Sequence, residues 1–136
     1  MSKVNNYKAN CSCGKIEVSM LGAPKVRGFC HCEDCRELLN VPYHSVNAWE
    51  KDNVSIKNGV EHIRKFQHPT LTMTKYYCSE CGDIIYNSNA MDWKVFSQLF
   101  IAKSYGGELP NELHSTSHFF YDRRIIDVDD ELPKHN

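Results

Sequence analysis

Three thiols stand close together at Cys30, Cys32 and Cys35, in the run Phe29-Cys30-His31-Cys32-Glu33-Asp34-Cys35-Arg36. On an extended chain, side chains two apart share a face, so Cys30 and Cys32 point one way and His31 the other. A short helix starting just beyond them swings Cys35 back as a third sulfur. Three thiolates leave one position of a tetrahedral zinc ion free. That pattern suits catalysis, because structural zinc is usually closed by four protein ligands.

The chain has seven cysteines in all. Setting the triplet aside leaves Cys11 and Cys13, spaced C-x-C, and Cys78 and Cys81, spaced C-x2-C, which together make a complete four-thiolate set. Gly14 and Gly82 directly follow the second cysteine of each pair, where the backbone can turn its amides toward sulfur. The reading is therefore two zinc ions per chain: a structural ion on Cys11, Cys13, Cys78 and Cys81, and a catalytic ion on Cys30, Cys32 and Cys35. The competing assignments are buried free thiols, which are common in cores, and a second closed site completed by His31, His44 or His118. Another partition of the seven thiols also satisfies spacing alone. A redox pair at Cys32-Glu33-Asp34-Cys35 lacks the βαβ surroundings that such a motif needs.

Around the triplet, His31, Tyr43 and His44 are the candidate catalytic residues, nearest in sequence to give or take a proton. Arg36 offers a planar fork to a substrate carboxylate. It suits equally a helix C-terminus or an ion pair with Glu33 or Asp127. His31, His44 and His118 are candidates for orienting thiolates or carrying protons; His62, His68, His114 and His135 read as loop or surface residues.

The bulk numbers limit the function classes. The 136 residues suit one domain, 1–136, with a modest core, and 41% hydrophobic with 24% charged residues is ordinary for a soluble protein. A formal net charge of -1 argues against a nucleic-acid binder built on a basic surface. The first ten residues carry only Lys3 and Lys8 as basic groups. No secretory leader is recognisable, and the clustered, odd-numbered cysteines fit metal-bound thiolates in a reducing cytoplasm better than disulfides. No apolar run reaches the roughly eighteen residues of a membrane span.

The elements that must position these groups read as short strands. Lys15 to Met20 alternates apolar and polar residues, and Lys25 to Phe29 delivers Cys30 to its end. Cys35 to Leu39 is a short helix stopped by Pro42. Tyr43 to Trp49 is extended, and Asn53 to Lys57 leads into Asn58-Gly59, a hairpin signal with Glu61 to Phe66 as the return strand. Leu71 to Tyr77 and Asp83 to Asn87 flank the Cys78–Gly82 knuckle in zinc-ribbon fashion. Trp93 to Ala102 reads as a strand on its aromatic and β-branched content, while the spacing of Phe96, Leu99 and Phe100 also fits a helix. Thr116 to Tyr121 is a further strand, and the tail from Asp127 is irregular. The fold class expected is all-β with little helix.

Cys11-Ser12-Cys13-Gly14-Lys15-Ile16, the Cys30 to Arg36 run, Tyr77-Cys78-Ser79-Glu80-Cys81-Gly82, His118-Phe119-Phe120-Tyr121 and Leu132-Pro133-Lys134 together resemble the glutathione-dependent formaldehyde-activating enzyme family, which includes centromere protein V. The resemblance covers nearly the whole chain in order. It implies a β-tent fold, several coiled antiparallel sheets around a zinc ribbon, with the outer cysteine pairs on a structural zinc and the middle triplet on a catalytic one. It also implies a carbon-sulfur lyase related to S-hydroxymethylglutathione synthase, joining glutathione to formaldehyde, with a small thiol and an aldehyde as its partners. Two departures fall where a pocket is shaped: Asn40-Val41 stands where the family usually has Gly and a small residue, and no Trp lies between Arg123 and Pro133. The alternative is a non-enzymatic zinc-stabilised binding module with two structural sites.

Overall fold

The computed structural model describes residues 5–69 and 72–136. Lys3, and Leu71 at the head of the expected 71–77 strand, lie outside them. Among the described residues, two sheets carry nearly all regular structure. The smaller, in the order β1-β2-β5, joins β1 (Asn6–Asn10), β2 (Glu17–Leu21) and β5 (Val54–Asn58), all antiparallel. The larger contains β3 (Val26–Cys30), β4 (His44–Glu50), β6 (Ile63–Gln67), β7 (Thr74–Cys78), β8 (Ile84–Ser88), β9 (Trp93–Ser97) and β10 (Ser117–Phe119), in the order β10-β3-β4-β9-β8-β7-β6. Helices are confined to α1 (Glu33–Leu39), α2 (Gln98–Lys103) and a few single turns. The chain is all-β.

Period-two patterning explains the packing. Tyr7 and Ala9 on β1 and Val18 and Met20 on β2 point inward, and all four are buried. They meet Trp49, Phe96, Phe100 and Ile101 from the larger sheet and α2 in the main core. Burying one such side chain as fully as Phe96 contributes about 1.5–3 kcal/mol. The indole of Trp49 also donates to the Gly22 carbonyl at 2.9 Å, so its one polar atom is satisfied.

β4 is buried on both faces because each face has its own cover. Asn47 and Trp49 face the main core, while Val46 and Ala48 face the other way with Val95 and Val26. That second face is the one on which the triplet stands, since Cys30 pairs with His44, Gly28 with Val46 and Val26 with Ala48.

Three expectations need correction. Asn58-Gly59 does not close a hairpin onto the next strand: β5 pairs with β2, and β6 crosses to pair with β7 in the other sheet. Gly59 (φ 86°) starts a single 3-10 turn at Val60–His62 that redirects the chain. A Cβ there would lie 2.1 Å from the Lys15 carbonyl oxygen, so the position needs glycine for its close approach as well as its φ. The 93–102 segment is strand only as far as Ser97, whose hydroxyl then caps α2 by accepting from the Leu99 amide at 3.2 Å. The tail is irregular through 127–132, but 133–135 runs beside β10: the His118 amide donates to Pro133, and His135 donates to His118.

Candidate active site

The two outer cysteine pairs sit at the tips of two hairpins, one from each sheet. Cys11 and Cys13 occupy the β1–β2 loop, Cys78 and Cys81 the β7–β8 loop. The knuckles are built alike: the Cys11 amide donates to Ile16 and the Cys78 amide to Asp83. Their four sulfurs lie within 4.8 Å of one another. Tetrahedral sulfurs about 2.3 Å from zinc stand roughly 3.8 Å apart. Cys11 to Cys13 measures 3.5 Å and Cys13 to Cys78 measures 3.7 Å, so the cluster fits that ion. Amides of Ile16 and Glu80 donate to the Cys11 and Cys78 sulfurs, each at 3.4 Å. Lys15–Glu80 (3.0 Å) and the Ser12–Asp83–Lys103 contacts tie the two loops together around it.

Cys30 ends β3, Cys32 caps α1 and Cys35 lies in its first turns, and their sulfurs also fall within 4.8 Å of one another. Cys30 to Cys32 is 3.3 Å and Cys30 to Cys35 is 3.5 Å, again spacings a single ion can bridge. The Cys35 amide donates to the Cys32 sulfur at 3.4 Å, which favours thiolate. Asn40 ends α1 in the left-handed conformation at φ 57°, with its amide bonded to the Arg36 carbonyl. Pro42 merely follows this turn. Among the described residues, no further His, Cys, Asp or Glu joins either cluster.

The triplet lines a cleft of about 500 Å³. Val26, Val46, Ala48 and Val95 form its sheet side, and Met73 packs beside Cys35 and Leu38. Met91, Phe120 and Arg123 also line it. Phe120 has φ 55°, a conformation that costs a bulky residue roughly 1–3 kcal/mol and often marks a functional site. Phe120 lies in the His118–Tyr121 run that carried the resemblance, but neither it nor Arg123 was singled out for this role from the sequence.

His31 points away from the sulfurs into the protein and is fully buried. Its Nε2 lies 2.9 Å from Nδ1 of His118, whose Nε2 lies 2.8 Å from Asp130; Lys134 pairs with the same carboxylate at 2.7 Å. Burial, and then the neighbouring His118, hold the His31 imidazole below its usual range. Lys134, and then His118, lower Asp130 to about 2. Tyr43, itself half-buried, stacks on the buried His31 with ring centres 4.9 Å apart, so the two rings pack as one unit. His44 shares the sheet face of Cys30 but lines a separate, smaller cavity of about 300 Å³ with Leu39 and Val41. Arg36 Nε donates to the His31 carbonyl at 3.2 Å and does not line the cleft. The charged side chain that does is Arg123, with Glu33 and Asp34.

Residues 6–123 match the glutathione-dependent formaldehyde-activating enzyme family. An uncharacterized lyase of Schizosaccharomyces pombe is 28% identical over 81 residues, 59% of this chain and 56% of that protein, so the alignment spans little more than half the relative's length. A crystal structure of a Rhodobacter sphaeroides protein superposes with a TM-score of 0.52 at 18% identity, over 76% of this chain and 97% of that one, which shows the fold. With the family pattern matched across most of its length, this chain belongs to the glutathione-dependent formaldehyde-activating enzyme family.

Proposed function

We propose that this chain is a zinc-dependent carbon-sulfur lyase that reversibly adds a thiol, glutathione or a relative, to a small aldehyde. One observation carries the reading: three sulfurs converge at a cleft large enough for a small molecule, whereas the four-sulfur cluster is complete in itself. Cys30, Cys32 and Cys35 would hold one zinc ion and Cys11, Cys13, Cys78 and Cys81 a second. When bound at the triplet, zinc supplies a cation that favours thiolate over thiol.

The protein's own groups do the rest. Once a substrate covers the apolar cleft walls, water is displaced, which strengthens charge interactions at the reacting centre. Arg123, at the cleft, is placed to hold a substrate carboxylate, the task the sequence suggested for Arg36. His31, buried behind Cys30 and Cys32, and the half-buried Tyr43 stacked on it act as positioning residues, and His44 flanks Cys30 on its own face. In the addition, a sulfur–carbon bond forms, the carbonyl π bond breaks, and the thiol proton ends on the carbonyl oxygen. No oxidant or reductant is needed.

The test is exchange spectroscopy of a thiol–aldehyde mixture. Catalytic protein should speed exchange between free aldehyde and adduct, and Cys32→Ser should abolish the effect. An exchange rate unchanged by the wild-type protein across a panel of thiols would favour a binding module instead.

A further inference from the structure

The cleft beside the Cys30 sulfur is lined by more hydrocarbon than a one-carbon aldehyde can use. Val46, Ala48 and Val95 form a small apolar cluster on its sheet side, with Val26 and Trp93 packed against it. Met91 and Phe120 are 66% and 49% exposed, so apolar surface at this cleft faces water until something covers it. Formaldehyde fills little of about 500 Å³ and gains almost nothing from such walls.

Besides the cysteines, the polar side chains lining the cleft among the described residues are Glu33, Asp34, Thr72, Asn89 and Arg123. Arg123 is the one basic side chain lining the cleft among the described residues, and its Nη1 already lies 3.9 Å from Glu33. Asp34 adds a second acid there, while the Asn89 side-chain oxygen accepts from the Met91 and Trp93 amides at 3.1 and 3.0 Å. Glutathione brings two carboxylates, and this lining answers one of them.

We infer that the carbonyl substrate is an apolar aldehyde of several carbons, straight-chain or aryl, whose hydrocarbon body lies along the Val46, Ala48, Val95 and Trp93 wall. Its partner is a thiol with a single carboxylate directed to Arg123. The inference rests on the thiol–aldehyde reading above and keeps its balance: one sulfur–carbon bond is made, the carbonyl π bond is lost, and the proton moves from sulfur to oxygen.

The experiment compares formaldehyde, acetaldehyde, butanal and hexanal, each with N-acetylcysteine and with glutathione, on the zinc-loaded protein. The expected kcat/KM rises about fourfold per methylene until the wall is covered. Met91→Ser, at an exposed site, should flatten that slope. A series that is flat, or best with formaldehyde, overturns the inference while leaving the thiol–aldehyde reading intact. If no aldehyde reacts, the thiol–aldehyde reading falls and the inference falls with it. Hexan-1-ol, an unreactive mimic of the chain, should perturb tryptophan emission in the wild type and not in Trp93→Phe; an unperturbed wild type overturns the inference.

Discussion

His31 and His118, 87 residues apart, share a buried hydrogen bond of 2.9 Å behind the Cys30, Cys32 and Cys35 triplet. The carboxylate of Asp130 can only accept, so His118 donates to it from Nε2 and, in its neutral form, accepts from His31 through Nδ1. This leaves His31 Nδ1 as a buried lone pair without a hydrogen-bond partner. The chain of contacts ties the loop bearing Cys30 and Cys32 to the C-terminal tail. His118→Leu would strand the His31 donor and should lower stability by about 1–3 kcal/mol. It should also weaken metal at the triplet by roughly tenfold or more. Urea unfolding and chelator competition measure the two effects, and an unchanged midpoint with unchanged affinity would remove the positioning role.

The two cysteine clusters should fail differently. Cys78 belongs to the cluster that joins hairpins from two separate sheets, and a structural zinc contributes folding energy on the order of 10 kcal/mol. That is comparable with the whole stability of a domain, about 5–15 kcal/mol. Cys78→Ser should therefore unfold or aggregate the protein. Cys32→Ser should stay folded and lose one metal equivalent, as circular dichroism and metal analysis of the same samples will show. Equal collapse of both variants would contradict the division.

Gly59→Ala should destabilise by about 3 kcal/mol or more, because left-handed backbone and a forced contact each cost about 1–3 kcal/mol. The contact is with Lys15 backbone, which no rotamer change relieves. Gly107→Ala makes the control: φ is similar at 88° but the space beyond is open, so only the conformational cost applies. Equal losses in the two variants, read from urea midpoints, would show that the Lys15 contact relaxes.

Burial holds His44 down to about 4, against about 6.5 for histidine in an unfolded chain. Between those values the unfolded state binds a proton that the folded state does not. Stability therefore falls as pH drops through that window, and this contribution is fully present only above about 6.5. At saturating zinc, the urea midpoint of the wild type should decline from pH 6.5 toward 5 more steeply than that of His44→Leu. Parallel declines would mean that the His44 site is wetter than its 7% exposure implies.

Much of the layout was legible where chemistry imposes spacing. C-x-C, C-x-C-x2-C and C-x2-C suggested two clusters, and the structure selects that partition over the others that spacing alone allowed. Strands with one buried face, such as Glu17–Leu21, were equally plain from alternation. Where two structures meet inside one apolar run, the pattern failed. Trp93 to Ala102 is half strand and half helix; the spacing of Phe96, Leu99 and Phe100 admitted the helix, but only the capping hydroxyl of Ser97 marks where it begins. Asn58-Gly59 supplied a left-handed turn, but local residues do not say which sheet receives the next strand. The His31–His118 pair depends on β10 lying parallel to β3, a long-range pairing with no local signature. Arg123 and Phe120 reach the cleft by the same route.

Cobalt substitution tests the central asymmetry most directly, since thiolate-to-cobalt absorption reports coordination at each ion. With one cluster sealed by four sulfurs and the other held by three, the protein should take up two cobalt equivalents, and titrated thiol should shift the spectrum of one of them only. A spectrum of two four-sulfur sites that added thiol leaves untouched, or uptake of a single equivalent, would contradict it.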